Sequence, residues 1–149
     1  MATRLVTFMI VLAFGAVSFA GAVRHEREEG VVKSAKRVFV AEITALKAWK
    51  EACGAGLRMK VKPVRWLKGK DVSATRYDYS TWHPRYNPKE RCPSVHYVAP
   101  PEAPGLKKGL TVIAVIGGSR YSQPGRVYGT FALTKLKQVR EWLKTKGKK

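Results

Sequence analysis

Apolar and basic residues alternate without a break from Leu57 to Lys62, with Leu57, Met59 and Val61 set against Arg58, Lys60 and Lys62. A period of two puts each set on its own face of a strand, one apolar and one basic. Pro63 interrupts, and Val64 and Trp66 resume the alternation on the opposite parity, so a β-bulge or bend is expected at the proline. Leu67 to Asp71 then closes the strand in a turn. Upstream, Val38 to Leu46 is rich in β-branched and aromatic residues, and Phe39, Ala41, Ile43 and Ala45 share one face of a mostly buried strand. Lys47 to Gly56 reads as the turn between the two. A third strand is expected over Ser73 to Trp82, with Tyr77, Tyr79 and Thr81 on one side and Arg76, Asp78 and Ser80 on the other. Leu110 to Ile116 is a continuous apolar run, short enough for a central strand, and Gly117-Gly118 ends it. Val127 to Leu133 supplies a fifth strand after the turn at Gln123-Pro124-Gly125.

The period then changes. Leu136, Val139 and Leu143 recur at helical spacing, Thr134 is placed to cap the start, and Gly147 to stop the end, so a helix is expected over Thr134 to Lys146. Its other faces carry Lys135, Lys137, Arg140, Lys144 and Lys146, which complement the helix dipole. Such a helix either packs on the sheet, the reading adopted, or lies on a membrane surface. Between the third and fourth strands, His83 to Gly109 has no period and holds six of the eight prolines. The sum is a mainly β protein: a five-stranded, OB-like Greek-key barrel with a C-terminal amphipathic helix.

At the N-terminus Arg4 precedes an uncharged run from Leu5 to Ala22, closed by the small residues Ser18-Phe19-Ala20 and Ala20-Gly21-Ala22. That pattern is a cleavable export signal, with an N-terminal membrane anchor as the alternative. The organisation expected is a signal peptide over 1–20, a loose N-terminal arm over 21–35, an OB-like domain over 36–146 and a basic tail over 147–149. The exported protein would be periplasmic or secreted.

Charge sharpens the picture. The formal net charge is +19, and removing residues 1–20 takes away Arg4 alone, leaving +18. A field of this sign draws polyanions: polysaccharide, lipopolysaccharide, extracellular nucleic acid or an acidic protein, with an anionic membrane surface also within its reach. The two cysteines, Cys53 and Cys92, are expected to form a disulfide in an oxidising compartment, with buried free thiols as the alternative. They share no ligand spacing with His83 or His96, so no metal site is expected.

The segments Val38-Phe39-Val40-Ala41-Glu42-Ile43, Val61-Lys62-Pro63-Val64-Arg65-Trp66-Leu67-Lys68-Gly69 and Gly109-Leu110-Thr111-Val112-Ile113-Ala114-Val115 resemble the netrin-module and tissue-inhibitor-of-metalloproteinases-like domains. The resemblance spans about residues 36–146 and implies a secreted OB-fold module. It also brings an alternative function, a protease-inhibitor-like domain acting through the loop 83–109. Those inhibitors bind a protease zinc through a cysteine at the mature N-terminus, and cleavage after Ala20 or Ala22 exposes none here.

Groups for catalysis are scarce. A cysteine–histidine nucleophile would need Cys92 beside His83 or His96 with a third group to orient the ring. The carboxylates are scattered, and Gly117-Gly118-Ser119-Arg120 lacks the lysine of a phosphate loop. No enzyme and no cofactor are expected. One constellation points to binding: Arg65, Trp66, Lys68, Arg76, Trp82, Arg85 and Tyr86 interleave cations and rings, as an oligosaccharide or oligonucleotide surface does. Some of these rings, Trp66 above all, are equally placed to fill the barrel. The function expected is an exported, non-catalytic module that binds an anionic polymer or an acidic protein partner.

Overall fold

A computed structural model describes residues 23–85, 89–92 and 97–145. Along the chain these form strand β1 (Val23–His25), helix α1 (Glu28–Ser34), β2 (Ala35–Lys50), β3 (Gly54–Lys68), β4 (Tyr77–Ser80), β5 (His83–Pro84), β6 (Tyr97–Ala99), β7 (Thr111–Gly117), β8 (Val127–Ala132), a 3₁₀ turn (Leu133–Lys135) and helix α2 (Leu136–Lys144). The protein is mainly β.

The alternating segments pair with one another. β2 lies between β3 and β7, antiparallel to both, and β3 continues to β4. β7 pairs antiparallel with β8, and β8 reaches β4 through a single parallel bridge, Tyr79 to Val127. The five strands thus come round on themselves in a partly closed sheet. β5 extends the start of β3, while β1 and β6 form a separate parallel pair.

The parity switch in β3 has its cause in the register. Val40 pairs with Arg65 and Ala41 with Pro63, so Val64 has no opposite residue and is pushed outward, 63% exposed. The bulge turns Trp66 inward where Val64 points out. A second bulge leaves Thr44 unopposed between Ile43 and Ala45, and Ala45 is exposed rather than sharing the buried face with Ile43. The turn expected over Lys47 to Gly56 shrinks to 51–53, because β2 runs on to Lys50 and β3 starts at Gly54.

Two cores lie on opposite sides of one wall. Phe39, Ala41, Ile43, Met59, Val61, Tyr77, Tyr79, Val112, Ala114, Ile116 and Val127 fill the space inside the sheet. Val38, Ile113, Val115 and Phe131 face the other way, against Val31 and Val32 of α1 and Val139 of α2. Successive residues of β7 therefore go to different cores, which is why the run there is apolar at every position instead of alternating.

Three expectations are corrected. Residues 21–35, read as a loose arm, carry β1 and α1 from Val23 onward. Val31 and Val32 are 2% and 0% exposed, a burial of roughly 1.5–3 kcal/mol per side chain. Glu28 pairs with Lys135 at 2.6 Å and ties α1 to the segment before α2. The third strand is four residues long, not ten, because the carboxylate of Asp71 accepts from the Ser73 amide (2.9 Å) and hydroxyl (2.7 Å) and folds the preceding residues into a turn. Thr134 does not cap the helix. It sits inside the 3₁₀ turn, and α2 begins at Leu136 with Leu136, Val139, Trp142 and Leu143 on the second core. The signal segment 1–20, the tail 147–149 and Gly147 lie outside the described residues. Among the described residues no helix is long and apolar enough to cross a membrane.

Candidate binding cleft

Cys53 and Cys92 are joined in a disulfide, with Cα atoms 5.3 Å apart. The bridge pins the irregular segment after β5 to the hairpin between β2 and β3, and Arg85 N–H donates to the Cys53 carbonyl at 3.0 Å. A disulfide fits an oxidising, exported setting. It also removes the Cys92 thiol that a cysteine nucleophile would need.

The cations and rings interleaved along the sequence do not share one surface. Trp66 is half-buried at the inner core, its ring 4.8 Å from Phe39 and 6.3 Å from Tyr77. Lys68 donates its ammonium to the Lys33 carbonyl at 2.9 Å, and Arg65 and Arg76 are exposed near that end of β3. Trp82 and Arg85 belong to the other end, where β5 pairs with Gly54 and Ala55. Trp82 is half-buried, 4.8 Å from the Tyr97 ring, and a methyl group on Gly54 would stand 2.0 Å from its indole nitrogen. Tyr86 lies outside the described residues.

What the fold does bring together is a different set. A concave space of about 710 Å³ is lined by Trp49, Arg58, Ser80, Tyr97, Tyr121 and Arg126, among others. The pairing register builds it. Arg58 lies opposite Ser80 on β4, and the Arg58 guanidinium sits 5.5 Å from the centre of the Trp49 ring. Arg126, at the mouth of β8, donates to the Ser80 hydroxyl at 3.2 Å and to Gln123 Oε1 at 3.4 Å. One serine thus holds the second guanidinium, and that serine is the strand partner of the residue that carries the first. Tyr121, on the loop between β7 and β8, is 50% exposed, and the Arg120 guanidinium donates to its hydroxyl at 2.7 Å.

Among the described residues no carboxylate lines this space. An adjoining groove of about 350 Å³ shares Arg58, Ser80 and Arg126 and adds Lys47, Lys60 and Asp78. There Asp78 is paired with Lys60, whose hydrogen bond holds its carboxyl below the usual range. Two other wall residues are fixed phenols. Tyr97 donates to the Trp82 carbonyl at 2.9 Å and Tyr128 to Glu26 Oε1 at 2.7 Å. Burial, then the Glu102 charge, raises the Tyr97 phenol. Burial first, with the Glu26 carboxylate adding to it, pushes Tyr128 up to about 12. At neutral pH both remain protonated donors.

Sequence reasoning reached Arg58 only as part of a basic strand face, placed Trp49 in a turn and took the residues around Ser119 for a turn. The cleft residues are drawn from the ends of β2 and β6, the middle of β3, β4 and the loop before β8, so no contiguous stripe marks them. Among the described residues no group of three or more His, Cys, Asp and Glu side chains could hold a metal ion. The chain matches no protein-family model and no curated protein.

Proposed function

We propose that this protein is an exported, non-catalytic binding module for an anionic polymer of the cell envelope or exterior, and that the cleft between Trp49 and Arg126 is its contact surface. The observation that carries the reading is that Arg58 and Arg126 both line one ring-walled hollow with no carboxylate on its wall among the described residues. Among those residues neither guanidinium is in a salt bridge with a carboxylate, and the one acid that feels Arg126, Asp78, is paired with Lys60, so both can meet an oxyanion from outside. The net charge of +19 supplies the long-range attraction.

The strand order β2–β3–β4–β8–β7, closing back on β2, supports an OB-like Greek-key reading of the sheet. In OB barrels the second and third strands, with the loops after the first and fourth, hold oligosaccharides and oligonucleotides. Arg58, Ser80, Tyr121 and Gln123 occupy the matching positions. A netrin-module or inhibitor-like identity for residues 36–146 is part of the same proposal, supported by the three segments that resemble that family.

The test is binding of the oxidised protein to acidic polysaccharide, lipopolysaccharide and nucleic acid over a salt series. Preference for one polymer that persists near physiological salt is expected. Equally weak binding to all three, vanishing as salt rises, would reduce the charge to a general field and overturn the reading. The second reading, protease inhibition through the loop 83–109, draws on the disulfide and the Tyr97–Trp82 bond that brace that loop. Loss of activity in any member of a protease panel would favour it.

A further inference from the structure

We propose that the unit recognised in the cleft is an acidic sugar, whose carboxylate or sulfate bridges Arg58 and Arg126 while its ring rests against the aromatic wall. The inference rests on the reading of the cleft as a polyanion site and narrows it to one ligand class. Several features of the hollow decide for a saccharide. Its volume of about 710 Å³ falls within the range of small-ligand sites, roughly 300–1,000 Å³. Arg58 and Arg126 both line the hollow, and Arg126 donates to Ser80, the residue opposite Arg58 on β4, an arrangement suiting a single oxyanion more than a row of phosphates. Single-strand binding needs successive open rings on which bases stack. Here Tyr97 is engaged edge-on by Trp82, Tyr128 is tied to Glu26, and Tyr121 alone is exposed by half. A pyranose needs one apolar face and hydrogen-bonding groups around its rim, and Ser80 and Gln123 line the hollow as such groups. The disulfide fits a setting in which acidic polysaccharide is met.

The experiment titrates the full, oxidised protein with a galacturonate tetramer, its carboxyl-reduced neutral counterpart and an oligothymidylate of similar length, by calorimetry near physiological salt. Saturable one-to-one binding of the acidic tetramer is expected, with the neutral tetramer at least roughly tenfold weaker, the discrimination typical of a site built around a charged hydrogen-bonded group. Arg58→Gln and Arg126→Gln should each weaken the tetramer by about tenfold or more. Arg58→Lys and Arg126→Lys should recover only part of this, since an ammonium keeps the charge and loses the planar fork. Both arginines are exposed, and an unchanged circular dichroism spectrum with an unchanged melting temperature checks that the variants fold. Tetramer affinity indifferent to both Gln variants, or an oligothymidylate bound more tightly than the tetramer, overturns the sugar assignment. If long polyanions still bind in that case, the general polymer-binding function survives. If no polyanion binds at all, both fall together.

Discussion

The hydroxyls of Tyr79 and Thr130 lie 3.0 Å apart, fully buried, across the seam where the sheet closes through one bridge only. Thr130 Oγ1 also accepts from the Ala103 amide at 3.0 Å, and the Thr130 amide donates to the Pro101 carbonyl at 2.9 Å. The seam between β4 and β8 is thus held by side chains and by the segment after β6, not by a strand ladder. That same seam brings Ser80 and Arg126 into reach of each other.

Thr130→Val should therefore destabilise by about 2–4 kcal/mol, since it leaves the Tyr79 hydroxyl and the Ala103 amide buried without a partner. Denaturant unfolding measures it. Adding Tyr79→Phe to Thr130→Val should recover part of the loss, because one of the stranded groups is then gone.

The Trp49 indole nitrogen is buried without a hydrogen-bond partner, the one such side-chain atom among the described residues. Its ring face, however, supports the Arg58 guanidinium. Trp49→Phe should leave stability unchanged within about 1 kcal/mol and keep ligand affinity within a few-fold, since the orphaned N–H is removed and a ring remains. Trp49→Ala should weaken binding by roughly tenfold through the loss of the ring under Arg58. Equal affinity in the Phe and Ala variants would show that the ring face is not used.

Gly56 has no positive φ to explain it; close approach does. A methyl group there would stand 1.9 Å from the Thr81 carbonyl oxygen, which is backbone and has little room to give. Gly56→Ala should cost on the order of 1–3 kcal/mol and shift the β3–Thr81 contact, read by thermal melting. Gly105→Ala differs, since nothing stands within 4 Å; its cost comes from a φ of +66° alone and should be nearer 1 kcal/mol.

Asp71 is held below the usual aspartate range, first by the Ser73 hydroxyl, then by the Ser73 amide, with Tyr77 and Arg37 adding to it. A carboxyl depressed in the folded state stabilises the fold above its unfolded value of 3.8, and this contribution disappears as pH falls through the lower folded value. Stability should fall below about pH 4 with a slope that Asp71→Asn reduces, as followed by denaturant midpoints from pH 6 to 2. An unchanged slope in the variant would place the acid sensitivity elsewhere.

Much of the sheet is legible in the residue pattern because burial imposes it. Leu57, Met59 and Val61 alternate where only one face is covered, and Val112 to Ile116 is apolar throughout where both are. The switch at Pro63 was visible as a change of parity, and the unpaired residue is Val64. Helix α1 is hidden because its seven residues include two glutamates, a lysine and Gly30, and only Val31 and Val32 are apolar. The cleft is hidden for a different reason. Arg58, Ser80, Tyr121 and Arg126 meet through strand pairing and one serine hydrogen bond, and no local pattern carries information on either. Conversely, the interleaved segment from Arg65 to Arg85 looks continuous in sequence, yet the turn at Asp71 and the inward-facing Trp66 and Tyr77 divide it.

The most direct measurement compares two variants of equal provenance in the same polyanion titration across salt: Arg58→Gln with Arg126→Gln, and Arg65→Gln with Lys68→Gln and Arg85→Gln. If the cleft is the contact surface, the double variant loses the salt-resistant part of the affinity. The triple variant, although it removes one more charge, only lowers the general attraction and flattens the salt dependence. The opposite ranking, with the triple variant losing specific binding and the double variant retaining it, would contradict the central claim and move the site to the outer face of β3 and the segment after β5.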